Sequence, residues 1–354
     1  MEIRELPIDD YEKVVVAKDP ESQLHALIAV HDTTLGPALG GMRMWPYKSE
    51  EAALTDVLRL SKGMTFKSAI AHTGLGGGKS VIIGDPKTIK SEKLYRAMGR
   101  FIDHLGGLYI TAEDVNTSIE DLEIVRQETR YVTGLSRASG SSGNPSPYTA
   151  RGCVLGIQKC VERAFDGDSV SGKHIVLQGV GAVGSIMARE LRELGAHLSI
   201  YDMNVERAEQ LAKELDAEIL HDDDVLSADC DVLAPCALGA ILNDETIPAL
   251  RCKVIAGCAN NQLATLEHGD LVRQRGILYA PDYVINAGGI INVAVELMPG
   301  GYDEAKSLER VRRIPDALEE IFELSEREHI STAEAAHRRA LEILAEGRRE
   351  HVTN

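Results

Sequence analysis

The sequence lacks the features that mark nucleic-acid, membrane and metal proteins. Its formal net charge is −17, so it has no basic excess for a polyanion, and we expect no nucleic acid partner. No apolar run approaches the roughly 18 residues of a membrane helix, and the charged start MEIRELPIDDYEK is unlike a signal peptide. The eleven histidines form no H-E-x-x-H or similar ligand spacing. We therefore expect neither a membrane partner nor a metal site.

The cysteines also lack any motif, since none forms C-x-x-C. All six lie in the second half of the chain: Cys153, Cys160, Cys230, Cys236, Cys252 and Cys258. Buried free thiols in a reducing compartment are the simplest interpretation. Together with the missing signal peptide, they predict a cytoplasmic protein.

The length and composition are those of a two-domain globular chain. There are 354 residues, of which 44% are hydrophobic and 26% charged. Residues 134–152 are rich in Gly, Ser and Pro, which is typical of a linker. We therefore predict a first domain over 1–138 and a second over 139–330, with the tail, 331–354, packed back on the first.

The first domain combines short β-rich segments with helices. Residues 13–18 and 24–31 have strand composition, and 81–86 indicates a short buried strand. A helix is predicted to begin after Ser49, a suitable N-cap, and to end at Gly63. These elements predict an α/β domain with a mixed sheet.

The second domain alternates strands and helices. The segments 173–178, 182–195 and 197–202 read as strand, helix and strand, and further β-rich segments follow. This alternation predicts a parallel, doubly wound sheet of the Rossmann type. From Ser307 onward the pattern predicts two charged amphipathic helices.

A glycine motif lies between the first strand and helix of this unit. Gly179, Gly181 and Gly184 form G-x-G-x-x-G, in which the glycines allow a tight turn, close approach of a pyrophosphate and helix–strand packing. Asp202 ends the next strand, where a carboxylate can bind the ribose hydroxyls and repel a 2′-phosphate. The motif therefore predicts NAD rather than NADP; the alternative is a glycine-rich turn in a domain that binds no nucleotide.

A second glycine-rich stretch, residues 63–80, contains Lys67 and Lys79. A lysine that is desolvated, or that lies beside another cation, can act as a base near neutral pH. Asp114, after a predicted strand, supplies a third ionisable group. Taken alone, these residues would equally fit two surface lysines and an acidic helix start.

The same stretch resembles a P-loop, but imperfectly. A P-loop reads G-x-x-x-x-G-K-[ST], and Thr73 stands where its first glycine should be. A strand rather than a helix is predicted after Ser80. A P-loop NTPase is therefore the disfavoured alternative.

Several stretches together resemble the amino-acid dehydrogenase family that includes the glutamate, leucine, phenylalanine and valine enzymes. They lie in the family order between about residues 35 and 297: LGPALGGMRMW, GMTFKSA, GLGGGKSVIIGDP, TAEDVNTS, SGNPSPYTARG, GVGAVG, APCALGA, CANNQL and APDYVINAGGIINVA. The leucine-type members are the most similar in these stretches.

The resemblance implies roles for individual residues. Lys79 would be the general base and Asp114 its proton partner, while Lys67 and Asn261 would bind the substrate α-carboxylate. Further substrate contacts are implied at Gly40, Gly41 and Met64. Further cofactor contacts, beside the glycine motif and Asp202, are implied at Thr149, Val183 and Ala237.

The implied reaction is reversible oxidative deamination. Hydride passes from the substrate Cα to NAD, a water activated by Lys79 attacks the resulting iminium, and a 2-oxo acid and ammonia are released. Leu39 and Val293 replace a lysine and a serine of the glutamate enzymes, which predicts leucine, isoleucine or valine as substrate. A phenylalanine or other aromatic enzyme, and a non-catalytic amino-acid or dinucleotide sensor, are the alternatives.

Two positions depart from the leucine-type pattern. Val295 stands where an aspartate is usual, and Asn116 stands where glycine is expected after Asp114-Val115. The resemblance also implies a homo-oligomer, and we expect an octamer.

Overall fold

In a computed structural model the chain forms two compact units. The structure describes residues 1–237 and 239–353. Unit 1 comprises Met1–Asn144, Val293–Glu304 and the chain from Ala340 onward, and unit 2 comprises Pro145–Asn292 and Ala305–Arg339. The chain therefore returns to unit 1 twice after leaving it.

The described residues contain strands and helices in alternation. The strands are β1 Glu2–Glu5, β2 Lys13–Asp19, β3 Leu24–Asp32, β4 Ala38–Trp45, β5 Gly76–Ile83, β6 Tyr109–Glu113, β7 His174–Gln178, β8 His197–Tyr201, β9 Glu218–Ile219, β10 Val232–Pro235, β11 Val254–Ile255 and β12 Leu278–Tyr279. The helices are α1 Glu50–Ile70, α2 Glu92–Asp103, α3 Ile119–Arg126, α4 Ser146–Ala164, α5 Gly184–Glu193, α6 Val205–Leu215, α7 Asp222–Val225, α8 His268–Gln274, α9 Asp282–Ile285, α10 Gly288–Glu296, α11 Glu304–Val311, α12 Ile314–Glu328 and α13 Thr332–Thr353. Over the described ranges, none of these helices has both the length and the apolar character to cross a membrane.

Unit 1 is built on a mixed sheet, as predicted. Its order is β1-β2-β3-β5-β4-β6, with β4 parallel to both of its neighbours and the other pairs antiparallel. Alternate residues of β2 face opposite sides of the sheet. Val14 and Val16 pack with α1, whereas Val15 and Ala17 pack with α2. The sheet is therefore covered on both faces.

Helix α1 begins where the sequence predicts but ends later. The Ser49 side chain accepts a hydrogen bond from the Ala52 backbone N–H, as an N-cap does. The predicted stop at Gly63 is wrong, because the helix continues to Ile70. Packing of the helix on β5 outweighs the intrinsic cost of glycine in a helix.

Two central strands of unit 1 are glycine-rich and were not predicted in full. The stretch Ala38–Trp45 forms β4, and β5 begins at Gly76 rather than at Val81. Lys79 therefore lies within a strand, whereas Lys67 lies on α1. The single lysine-bearing segment of the sequence prediction is in fact two separate elements.

Unit 2 has the predicted parallel sheet. Its order is β12-β11-β10-β7-β8-β9, and every adjacent pair is parallel. Strand order therefore reverses beside β7, and ligands of doubly wound sheets bind at such a switch point. The glycine motif follows β7 directly.

The division of the chain differs from the predicted boundaries. It falls at 144/145 rather than at 138/139, and a second division lies inside α10, after Asn292. The first part of the predicted tail, up to Arg339, belongs to unit 2. Ser307 lies within α11, and two further helices, α12 and α13, follow it in the described chain. The composition of the sequence indicates the linker between the units. It does not indicate that the chain returns to unit 1 in the middle of α10.

Candidate active site

Lys79 and Asp114 form a close ion pair in unit 1. Lys79 Nζ lies 2.6 Å from Asp114 Oδ2, and the two side chains are 7% and 20% exposed. The residues come from different elements, since Lys79 is on β5 and Asp114 follows β6. A lysine this buried, paired with a carboxylate, has the geometry of an acid–base pair.

The backbone around Asp114 fixes its position. Its N–H donates to Thr117 Oγ1 over 3.0 Å, and that hydroxyl in turn lies 2.8 Å from the Met42 carbonyl. A Cβ built on Gly41 would stand 2.6 Å from Asp114 Cβ. Glycine at 41 is therefore required by the approach of Asp114, whatever it does for a substrate.

The ionisation of Asp114 reflects a balance of opposing effects. Burial raises the pKa of this carboxyl, but the charges of Lys79 and Arg43 outweigh burial, and the pKa lies below its usual value. Asp114 is therefore a carboxylate at neutral pH.

Arg43 is a site residue that the sequence prediction missed. Its Nε lies 3.1 Å from Asp114 Oδ2, and its Nη1 lies 3.0 Å from Asp56 Oδ2 on α1. Arg43 stands in the quoted GGMRM stretch, but nothing local distinguishes it from a surface arginine. Its importance follows only from the pairing of β4 with β6.

Lys67 and Met64 lie on the last turns of α1, both partly buried. The neighbouring Ser68 Oγ donates to the Gly76 carbonyl over 3.3 Å. A Cβ on Gly77 would lie 2.1 Å from the Thr65 backbone nitrogen. This end of α1 therefore packs directly on the strand that carries Lys79, because β5 has no side chains there.

Leu39 and Gly40 lie on β4, next to β5 and β6. Leu39 is 1% exposed. A Cβ on Gly40 would lie 1.7 Å from the Gly78 carbonyl oxygen, so packing between strands demands glycine here. The Tyr109 hydroxyl donates to the Gly40 carbonyl over 2.6 Å and so links β6 to β4.

The glycine motif of unit 2 has the geometry of a dinucleotide site. Gly179 has a φ of +100°, which an L side chain rarely adopts. A Cβ on Gly184 would lie 2.2 Å from the Gly179 carbonyl oxygen, so the first turn of α5 packs tightly on the loop. Val183 immediately precedes α5, whose free N–H groups suit a pyrophosphate.

Asp202 ties the end of β8 to this loop. Its Oδ2 accepts from the Val180 N–H and its Oδ1 from the Asn204 N–H, both over 2.8 Å. Arg207, which is half exposed, lies 3.7 Å from Asp202. Each carboxylate oxygen retains capacity for a further donor, so the ribose interaction remains available.

A cavity of about 400 Å³ opens beside the motif. It is lined by loop, α5 and α6 residues that include Gly181, Ser185 and Arg207. Three features fit an adenine dinucleotide: the space left by the glycines, the N-terminus of α5 and the carboxylate of Asp202. Two arginines in this lining, Arg189 and Arg207, were not singled out from the sequence.

The other residues that the resemblance implies for unit 2 lie on a helix and on loops. Ala237 stands against the motif, because a Cβ on Gly179 would lie 2.7 Å from Ala237 Cβ. Thr149 is on α4, and a Cβ on Gly289 would lie 2.6 Å from Thr149 Oγ1. Asn261 has a φ of +52° and donates its N–H to Asp282. Ligand contacts of these residues stay a prediction.

Val293 and Val295 are both on α10, in unit 1. Their exposures are 5% and 0%, so both are core residues. Val295 therefore places a fully buried apolar side chain where the leucine-type pattern has a carboxylate. Glu296, the next residue, accepts from the Gly134 N–H over 3.1 Å and from Ser141 Oγ over 2.6 Å.

Both halves of the chain match one protein family. Residues 12–131 match "Glu/Leu/Phe/Val dehydrogenase, dimerisation domain". Residues 196–351 match "Glutamate/Leucine/Phenylalanine/Valine dehydrogenase". The two matches cover most of unit 1 and of unit 2.

Characterised relatives resemble the chain over almost its whole length. Leucine dehydrogenase of Thermoactinomyces intermedius is 52% identical over 94% of this chain and 90% of its own. Leucine dehydrogenase of Bacillus subtilis (strain 168) is also 52% identical, over 96% of this chain and 93% of its own. The crystal structure of L-tryptophan dehydrogenase from Nostoc punctiforme superposes with a TM-score of 0.81 at 42% identity, covering 96% of this chain and 97% of that one.

Proposed function

Because this chain belongs to the glutamate/leucine/phenylalanine/valine dehydrogenase family, it is an amino-acid dehydrogenase, and we propose that it catalyses the reversible, NAD-dependent oxidative deamination of branched-chain L-amino acids. The products are 2-oxo acids and ammonia. The observation that carries the chemistry is the buried Lys79–Asp114 pair, with 2.6 Å between Nζ and Oδ2. A sensor would have no need to keep a base and its carboxylate partner together.

Lys79 acts as the general base. In its amine form, Nζ accepts a proton from the water that attacks the substrate iminium carbon, and the ammonium is then stabilised by Asp114. Lys79 then returns this proton to the carbinolamine nitrogen. As the C–N bond breaks and ammonia leaves, the carbinolamine hydroxyl gives its proton to Lys79 Nζ and the 2-oxo acid forms. Burial of Lys79 strengthens its interaction with Asp114, because little water screens the pair.

Lys67 and Asn261 bind the substrate α-carboxylate in this proposal. Lys67, in the last turn of α1, has a positive charge, and Asn261 has a side-chain amide donor. Gly40 and Gly41 leave the backbone of β4 without side chains, so a small ligand can approach it closely.

The proposed substrate class rests on apolar side chains. Leu39 and Val293 are both apolar and offer no partner to a side-chain carboxylate, whose burial without one is costly. An aliphatic chain gains about 0.8 kcal/mol per CH₂ on burial. The 52% identity to leucine dehydrogenases, against 42% to the tryptophan enzyme, supports leucine, isoleucine and valine over aromatic amino acids.

NAD is the proposed cofactor, and when bound it accepts the hydride from the substrate Cα. Gly181, where a Cβ would meet only Arg207 Nη1 at 3.8 Å, would let the pyrophosphate approach the N-terminus of α5. Asp202 would receive the ribose hydroxyls and repel a 2′-phosphate, which supports NAD over NADP. Thr149, Val183 and Ala237 are the further contacts in this proposal.

We also propose that the enzyme is a homo-oligomer. The family description of residues 12–131 is a dimerisation domain. An octamer is our specific expectation, and light scattering coupled to size-exclusion chromatography would give the mass directly. A monomeric mass of 38.4 kDa would overturn it.

The cysteines support a cytoplasmic location. All six are free, and Cys153, Cys160 and Cys252 are buried. Free thiols are usual in a reducing compartment, whereas secreted proteins tend to pair them.

Initial rates of NADH formation test the proposed function. L-leucine, L-valine, L-phenylalanine and L-glutamate are each offered with NAD at alkaline pH. We expect the highest kcat/KM with leucine or valine. Preference for phenylalanine would contradict the proposed pocket, preference for glutamate would contradict the Leu39 argument, and no turnover with any of them would contradict the enzyme.

A further inference from the structure

Asp114 lies between two cations rather than one. Lys79 Nζ and Arg43 Nε approach the same atom, Asp114 Oδ2, at 2.6 and 3.1 Å. Arg43 is 20% exposed, so it is mostly withdrawn from solvent. Lysine can give up its proton, but arginine stays charged at any pH at which the protein is folded. The two cations therefore act differently when a proton moves.

Arg43 is itself held from the opposite side. Its Nη1 lies 3.0 Å from Asp56 Oδ2 on α1. The same Asp56 oxygen accepts from the Tyr47 hydroxyl over 2.6 Å. Burial, followed by the neighbouring Asp56, raises the pKa of Tyr47 well above its usual value, so this hydroxyl remains a donor. Asp56 and Tyr47 thus anchor a guanidinium that spans from α1 to the end of β6.

We propose that Arg43 is a positioning residue, which keeps Asp114 ionised and oriented throughout the reaction, so that Asp114 stabilises protonated Lys79 without taking up the proton itself. This inference rests on the proposed function and assigns Asp114 a narrower role than that of a proton partner. When an O–H bond of the attacking water breaks, the new N–H bond forms on Lys79. Lys79 passes this proton to the carbinolamine nitrogen and takes up the carbinolamine hydroxyl proton as ammonia leaves, so Asp114 carries the same charge before and after.

The other charged and titratable groups around Asp114 do not replace Arg43. Glu113, the preceding residue, is an anion, and burial raises its pKa. Tyr109 on β6 is fully buried, and burial raises its pKa too, so it adds no charge. Asp56 faces Asp114 only across Arg43. Once Lys79 is neutral, Arg43 still places a permanent positive charge against this carboxylate.

Steady-state kinetics of Arg43→Gln with L-leucine and NAD test the proposal. We expect kcat to fall by about 10- to 100-fold, because Asp114 loses its orientation, with little change in the KM for leucine. The pH of half-maximal activity should rise, since loss of a cation favours the protonated form of the Lys79–Asp114 pair. A wild-type kcat and pH profile, or a raised KM with unchanged kcat, would overturn the proposal.

Two further variants separate charge from geometry. Arg43→Lys restores the charge without the planar fork, so the pH profile should return toward that of the wild type while kcat recovers only in part. Arg59→Gln is the matched control: Arg59 is 60% exposed and lies 3.4 Å from Asp56. This variant removes an arginine charge beside Asp56, which also contacts Arg43, and we expect wild-type kinetics. An equal loss in Arg59→Gln would overturn the assignment to Arg43.

A milder variant serves if Arg43→Gln does not fold. Asp56→Asn keeps the Arg43 charge but weakens its anchor, so kcat should fall while the pH profile does not move to higher pH. A shift to higher pH in Asp56→Asn would contradict the proposal.

Infrared difference spectroscopy gives a readout independent of turnover. The carboxylate band of Asp114, identified by its loss in Asp114→Asn, should persist to lower pH in the wild type than in Arg43→Gln. Identical titration in the two proteins would overturn the inference. A wild-type protein that oxidises no amino acid would instead refute the proposed function, while this titration would still report on Arg43.

Discussion

Gly41 faces Asp114 so closely that a Cβ at position 41 would lie 2.6 Å from Asp114 Cβ and 2.8 Å from the Glu113 carbonyl oxygen. No side chain fits there unless the end of β6 moves. The Lys79–Asp114 ion pair therefore depends on position 41 having no side chain. This relationship joins β4 to β6, which are far apart in the chain and adjacent in the sheet.

Gly41→Ala should therefore reduce activity by displacing Asp114. We expect kcat to fall by at least about 10-fold, because small misplacements of a catalytic group are costly. Gly63→Ala is the matched control, since a Cβ at Gly63 meets nothing within 4 Å. It should leave kcat unchanged and stabilise α1 by about 0.5–1 kcal/mol. Wild-type kcat in Gly41→Ala would show that the site tolerates the shift.

The acid sensitivity of the fold should depend on Asp114, whose pKa in the folded protein lies below its usual value. A depressed pKa contributes stability above the unfolded value of about 3.9, and this contribution is lost as pH falls through the folded pKa. At neutral pH, Asp114→Asn should lower the free energy of unfolding by about 3 kcal/mol, because two cations lose their carboxylate.

Urea unfolding between about pH 7 and pH 3 measures this effect. The wild type should lose more stability over this range than Asp114→Asn, which cannot titrate at this position. Asp9→Asn, at an exposed position of the same unit, is the control. Its free energy of unfolding should change with pH as that of the wild type does. If the free energy of unfolding fell equally with pH in the wild type and in Asp114→Asn, Asp114 would not be the source of this acid sensitivity.

Asp202 should set the preference for NAD. Asp202→Asn removes the charge but keeps an amide oxygen that can accept from the Val180 N–H, so the loop should stay in place. We expect the ratio of kcat/KM for NADP to that for NAD to rise at least about 10-fold, or about 1.4 kcal/mol. Arg207, 3.7 Å away, would then be free to attract a 2′-phosphate. In the double variant with Arg207→Ala the gain should diminish; an unchanged ratio in Asp202→Asn would refute the role of Asp202.

Asn116 explains one departure from the family pattern. Its φ is +60°, a region that favours glycine, and its Nδ2 donates to the Met44 carbonyl over 3.0 Å. Asparagine is among the residues that tolerate this conformation. Asn116→Gly should therefore keep full activity, with a stability cost of about 1 kcal/mol for the lost hydrogen bond. Asn116→Val should cost more, because a β-branched residue is strained at this φ; thermal unfolding compares the two, and equal stability would contradict this explanation.

The sequence predicts the second unit better than the first. Residues 173–202 alternate strand and helix with a glycine motif at the expected place, so local pattern and global fold agree there. In unit 1, β4 contains Gly40 and Gly41, which disfavour a strand in isolation. Their presence is explained by close approaches of Gly78 and Asp114, contacts that no local pattern encodes.

The residues of the candidate site also differ in how well the sequence predicts them. Lys79 and Asp114 were predicted because the resemblance singles them out, and they lie together. Arg43 was missed because its contact with Asp114 joins residues 71 positions apart through β4 and β6. The early stop at Gly63 shows the converse error, in which a local signal was outweighed by packing of α1 on β5.

The kcat for L-leucine oxidation by Lys79→Met tests the central claim most directly. Methionine fills the buried position without an ionisable group, so kcat should fall by about 10²- to 10⁴-fold, as for loss of a general base. NAD binding, followed by fluorescence, should be unchanged, because the glycine motif proposed to hold the cofactor is in unit 2. Turnover near that of the wild type would contradict the assignment of Lys79 as the base.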